Sequence, residues 1–193
     1  MEEFKYLGQD SIIYPMAKIL GRPAVSIGSH VIIDDFVFLG THRELVIGNY
    51  VHIASHTSIT GGGRCVLHDF CGLSSGTRLL TGSDSFQGES LVGPTIPPEF
   101  RIVERGEVVL ESHVLLGANV VVFPNVHIGE GTAVGAGSVV NHDLPPWSIF
   151  AGAPARRVKI RPKETILRME EQLYATYGRP TPSFRSLFPQ AVP

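Results

Sequence analysis

The chain has 193 residues, 43% of them hydrophobic, which suits one domain with a continuous core plus a short appendage and is too little for two full domains. Its 16 basic and 18 acidic residues leave a formal charge of −2, so no global field draws it to nucleic acid or to an anionic membrane, and any anion site is local. Only two cysteines, Cys65 and Cys71, no charged-then-apolar leader before Leu7, and no apolar stretch long enough to cross a bilayer together predict a soluble, cytoplasmic protein without a disulfide.

From Leu7 onward an aliphatic residue recurs every six positions: Leu7, Ile13, Ile19; Ile27, Ile33, Leu39; Ile47, Ile53, Ile59; Leu67, Leu73, Leu79; Leu110, Leu116, Val122; Ile128, Val134, Val140. Four residues after each stands a mostly small or β-branched residue, such as Val31, Thr57, Cys71, Val114 or Ser138. Gly or Ala often follows the aliphatic residue directly, as at Gly8, Gly28, Gly48 and Gly117, where a turn with special backbone angles is expected. A unit of six with one large and one small inward residue is too short for a helical repeat and fits a β-helix, three units to a triangular coil. The first four coils start at 7, 27, 47 and 67, and the last two at 110 and 128, so the early coils carry two extra residues at one corner. Between them the repeat breaks for a Gly/Pro/Ser-rich loop, 81–109, and loops of that length in compact domains are usually functional or disordered. After Val140 an exit segment leads to KETILRMEEQLYATYG, which has helical periodicity with Pro162 near its start and Gly178 as its stop. The organisation read from this is a β-helix unit over 1–150 with its inserted loop, then an exit strand, a short α-helix and a tail over 151–193.

With this repeat, and with VGAGSVVNHDLPPWSIFAGAPARRVKIRP after it, the chain resembles the hexapeptide-repeat acyltransferases over roughly Leu7 to Lys159. The resemblance implies an all-β, left-handed parallel β-helix, a homotrimer, and acetyl-CoA as acyl donor with no metal. The acceptor it implies is a hydroxyl or amine of a sugar or nucleotide-linked sugar in polysaccharide biosynthesis. By family position Ala118, Ala136 and Asn141 lie along the pantetheine arm of CoA, while Arg156 and Lys159, with Arg157 as a further candidate, approach its phosphates. The loop GSDSFQGESLVGPTIPPEF is similar to one that walls the acceptor site in acetyltransferase-like proteins of polysaccharide clusters. Where the galactoside and maltose enzymes carry a loop histidine, this chain has Asp84.

Three residues are therefore candidates for the chemistry: His56, His52 and Asp84. The first two stand in VHIASHTSI, which is similar to the His-Ile-Ala-His segment of lipid A acyltransferases with one residue inserted. A hydroxyl acceptor needs a general base, for which histidine is the usual choice, whereas an amine mainly needs positioning. His30, His42, His113 and His127 occupy outward positions and are expected in solvent, His68 at a turn and His142 at the periphery. Asp34, Asp35, Asp69 and Glu111 are read as solvent-facing turn residues, and Trp147 as a packing or adenine-side contact. The competing function is a γ-carbonic-anhydrase-like zinc hydratase on the same fold, with His52, His56 and His68 as candidate ligands.

Overall fold

In the computed structural model, residues 2–40, 43–180 and Ser183 are described, so His42 and most of the tail lie outside the described residues. The repeat folds as a parallel β-helix of six full turns and part of a seventh. Its first face stacks Tyr6–Leu7, Val25–Ile27, Leu45–Ile47, Arg64–Leu67, Glu107–Leu110 and Val126–Ile128. The second runs from Ile12–Ile13 through His52–Ile53 and Leu115–Leu116 to Ala133–Val134 and Ser148–Ala151. The third stacks Lys18–Leu20, Phe38–Gly40, Ser58–Thr60, Arg78–Leu80, Val121–Val122 and Val139–Val140.

The register is the sequence period made physical. Ile27 pairs with Ile47, Ile47 with Leu67, and Leu67 with Leu110, so each aliphatic residue sits directly over its counterpart one coil away. Ile33, Ile53, Leu79, Leu110 and Leu116 are fully buried, and the smaller Val31, Thr57, Cys71 and Ser138 fill the corners beside them. Burying one such aliphatic side chain is worth about 1.5–3 kcal/mol. Strands of two to four residues cannot stand alone, so this column of stacked aliphatics holds the coils together. Leu7, in the end coil with no neighbour beneath, remains 47% exposed. At the other end the strand Arg156–Ile160 runs antiparallel along Ser148–Ala151 and covers what would be an open parallel edge.

The glycines after the aliphatic residues serve a different purpose from the one expected. Gly8, Gly28, Gly48 and Gly117 do not have positive φ; a Cβ on Gly28 would stand 2.6 Å from the Gly48 carbonyl oxygen, and one on Gly117 2.6 Å from the Ala136 nitrogen. Coil-to-coil contact, not backbone angle, excludes a side chain there. Positive φ falls two residues later, at Asp10, His30, Tyr50, Phe70, His113, Phe36, His56, Asn119 and Asn125. At the corner between the first and second faces these residues are largely aromatic. His30 stacks on Tyr50 at 4.6 Å, Tyr50 on Phe70 at 5.1 Å, and Phe70 on His113 at 4.8 Å. The spacing between paired strands, about 4.8 Å, matches the separation favoured by stacked rings, and the stack offsets the left-handed backbone.

The helix α1, Glu164–Tyr177, lies against this stack and ends at Gly178, whose N–H bonds the Tyr174 carbonyl. Tyr174 meets Phe70 and Tyr50 edgewise, and burial pushes its phenol up. His113 is consequently buried rather than solvated: its Nε2 lies 2.8 Å from Glu170 Oε2. Asp69, likewise expected in solvent, is largely covered; burial raises its carboxyl despite the hydrogen bonds it accepts from the Asn49 backbone and side chain.

Candidate active site

The third face has two long edges, and the expected residues divide between them. At its edge with the second face the turns 54–57, 74–77, 117–120 and 135–138 stack, which puts Ala118 and Ala136 in line with Ser75 and Ser55 and His56 one position further along the same edge. His56 is exposed, lies over Phe36 with ring centroids 5.2 Å apart, and accepts a hydrogen bond on its carbonyl from Arg78. Ala118 accepts the Gly137 N–H at 2.8 Å. Gly152–Ala155 crosses the end of the third face, where the N–H groups of Val139 and Ala155 bond Gly152 and Val139, and returns into the exit strand beside this line.

The exit strand contains a bulge. Ala151 pairs with Arg156 and Phe150 with Arg157, but Ile149 pairs with Lys159, leaving Val158 as the extra residue. Without it, residues three apart would point to opposite faces. With it, Arg156 and Lys159 share the outward side with Ala151 and Ile149, while Arg157 shares the side of the buried Phe150. Asn141 does not join the line; it follows Val140 at the far side of the third face, with Oδ1 3.1 Å from His142 Nδ1. His52 stands on the second face with Nε2 3.2 Å from Asp34 Oδ2. The structure therefore separates His52 from His56, and both from Asp84.

The opposite edge, between the third and first faces, is where early coils carry their two extra residues, as at 21–24 and 61–63. The long insertion leaves from the same corner: Thr81 and Gly106 are joined by a backbone bond of 2.9 Å. Its base is a hairpin, Gly82–Asp84 paired antiparallel with Val103–Arg105. The hairpin and the corner enclose an open cavity of about 450 Å³, with Leu20, Phe38 and Thr60–Gly62 on the coil side and Gly82–Asp84, Arg101, Val103 and Arg105 on the hairpin side.

Asp84 is fully engaged there. Its Oδ1 accepts from Arg101 Nε at 2.9 Å and Nη2 at 2.6 Å, and its Oδ2 accepts the Gly93 N–H at 3.0 Å. The Arg101 fork, with help from Gly93, holds the carboxyl below its usual range. Such a carboxylate is a poor proton acceptor at neutral pH, but it remains an anion and keeps lone pairs for a donor entering the cavity. It suits orienting an amine better than deprotonating a hydroxyl. Sequence reasoning missed Arg101, Val103 and Arg105, whose odd-numbered alternation toward one side becomes visible only once the loop is known to close as a hairpin.

Among the described residues no three His, Cys, Asp or Glu side chains converge to hold a metal, and His52, His56 and His68 do not form a ligand set within one chain. Trp147 is a packing residue: it covers Gly131 and donates from Nε1 to Glu130 at 3.2 Å. No described helix is long and apolar enough to cross a membrane.

Comparison with known proteins accords with this geometry. A dTDP-4-amino-4,6-dideoxy-D-glucose acyltransferase from Escherichia coli is 33% identical over 164 residues, 84% of this chain and 85% of that one. The N-acyltransferase AntD from Bacillus cereus, solved with dTDP and 3-hydroxybutyryl-CoA, is 40% identical with a TM-score of 0.84, covering 90% of this chain and 92% of that chain. A hexapeptide-repeat acetyltransferase from Vibrio cholerae is 26% identical with a TM-score of 0.55, covering 82% and 75%. No family model matches the chain.

Proposed function

Because the chain belongs to the hexapeptide-repeat acyltransferases, beside the dTDP-amino-sugar N-acyltransferases, and is a CoA-thioester-dependent enzyme, we propose that it transfers an acetyl group from acetyl-CoA to the amine of a nucleotide-linked amino sugar. The observation that carries this reading is Asp84, clamped as an anion on the wall of the cavity that the inserted loop builds against the prism.

The reaction needs little chemistry from the protein. A neutral amine nitrogen attacks the thioester carbonyl, the C–N bond forms, the C–S bond breaks, and the proton released by nitrogen is matched by the proton that the departing thiolate takes up. An amine with a pKa near 8 is partly neutral at pH 7, so positioning dominates. Asp84 draws the amine into the cavity and orients it. Acetyl-CoA lies along the line of Ala118 and Ala136, with Arg156 and Lys159 on its phosphates; Arg157 is turned to the other side, and Asn141, at the far edge of the third face, takes no part in this line. His56 borders this donor line, and His52, tied to Asp34, stands behind it.

Donor line and acceptor cavity flank the third face rather than meeting within one subunit, which supports a homotrimer in which neighbouring copies bring them together. Exposed Ile12, Ile32 and Leu115 on the second face supply apolar surface for that contact. The proposed setting is the cytoplasm, where acetyl-CoA and nucleotide sugars are available.

The test is release of free CoA thiol with a panel of dTDP-linked amino sugars, free amino sugars and hydroxyl-only sugars, alongside light scattering across a dilution series. The reading expects turnover with the nucleotide-linked amine and a mass of three subunits. Turnover confined to hydroxyl-only acceptors would overturn it, and a mass of one subunit, 20.9 kDa, would overturn the trimer.

A further inference from the structure

The cavity holds one more positive charge than the orientation of an amine requires. Arg101, Val103 and Arg105 alternate with Ile102 and Glu104 along the returning strand, and only the first three line the cavity. Arg101 is neutralised by Asp84. The Arg105 side chain has no hydrogen bond or ion pair among the described residues, and its neighbour Glu104, paired with Ser83, points to the other side of the strand.

The surroundings of Arg105 are bare backbone. It pairs with Gly82, where a Cβ would come within 3.2 Å of Arg105 Cγ, and Gly82 in turn touches Gly61 so closely that a Cβ on Gly61 would stand 2.2 Å from its nitrogen. Gly61 and Gly62 have φ of +108° and +74°, and neither donates its N–H to a hydrogen bond among the described residues. An exposed guanidinium thus lines the same cavity as the Asp84 carboxylate, their backbones roughly 7 Å apart along the hairpin, two residues at strand spacing.

We propose that Arg105, on the wall of this cavity, binds the diphosphate of the nucleotide-linked acceptor and thereby selects it over the free amino sugar. This rests on the acceptor reading above. A nucleotide-linked amino sugar carries its anionic diphosphate on the anomeric carbon and its amine across the pyranose ring. That ring spans the gap between a cation and a carboxylate held this far apart. Guanidinium is the side chain suited to phosphate oxygens, and charge-assisted bonds of this type are strong enough to set specificity. Arg101 cannot substitute, because its fork is already closed on Asp84.

The test uses the full-length protein and bare dTDP as probe, titrated calorimetrically into wild type, Arg105→Ala and Arg105→Lys, with melting temperatures as a check on folding. The Ala variant should bind dTDP about tenfold or more weakly, the Lys variant should retain most of the affinity, and melting should not shift. In turnover, the preference for nucleotide-linked over free amino sugar should fall by a similar factor in the Ala variant. Affinity for dTDP that stays within about twofold of wild type in Arg105→Ala overturns the proposal. If dTDP binding depends on Arg105 yet wild type acylates no amino sugar, the acceptor reading fails while the anion site stands.

Discussion

The two edges of the third face solve different problems with the same repeat. Along one, the coils turn in a strict rhythm and leave a straight line of small residues, Ala118 and Ala136, beside His56. Along the other, the rhythm is interrupted: two extra residues per early coil grow, between the fourth and fifth coils, into the hairpin that carries Asp84 and Arg101. Regular repetition makes a groove that fits a long, featureless arm and distinguishes little. Irregular insertion makes a pocket with individually placed charges. In this account the first edge binds the donor and the second chooses and orients the acceptor.

The sharpest way to break this division is at Asp84. Asp84→Asn removes the fixed charge while keeping the shape, and with an amine acceptor the lost orientation should lower turnover by roughly a hundredfold. At the donor edge the expected change is in affinity. Replacing Arg156 and Lys159 together by Ala should raise KM for acetyl-CoA by about tenfold or more and leave kcat nearly intact, because phosphate contacts hold ground and transition states alike. Arg157→Ala should change KM by less than either of the others, since the bulge at Val158 turns it to the opposite side. His56→Ala should cost an amine acceptor less than about tenfold, and His52→Ala less again; a large loss at His56 would shift the chemistry to the donor edge and point to an oxygen acceptor.

The smallest effect concerns stability and pH. The carboxyl of Asp84 is depressed in the folded protein, so its clamp contributes stability that is fully present above the ordinary carboxylate pKa, about 3.9, and disappears as pH falls through the lower folded value. Urea midpoints of wild type and Asp84→Asn should therefore differ by a constant amount at neutral pH and converge below about pH 4. A gap that persists in acid would mean that the clamp is not electrostatic.

The fold was legible because its cause is local and periodic. Any chain with an aliphatic residue at Ile27, Ile47, Leu67 and Leu110 and a small partner four positions on can bury both only by stacking. The corners were less legible. Gly28 and Gly117 look like turn glycines, yet they are small because the next coil's backbone lies against them, a contact twenty or so residues away. His113 looked outward by position, but α1 returns from the end of the chain to cover it, and no repeat encodes where a terminal helix will dock. The site followed the same division. Ala118, Ala136, Arg156 and Lys159 came from a motif tied to the repeat, whereas Arg101 and Arg105 sit in a loop whose pairing depends on two short segments, Gly82–Asp84 and Val103–Arg105, too brief and too polar to announce themselves as strands.

The claim that the irregular edge receives an amine is open to one direct measurement: mass spectrometry of a dTDP-linked amino sugar after incubation with acetyl-CoA and the wild-type protein, with the product then treated with mild base. The account predicts one acetyl group per sugar, matched by one free CoA, and retained through the base treatment as an amide. An unmodified sugar, or an acetyl group that the base removes as an ester, would contradict it.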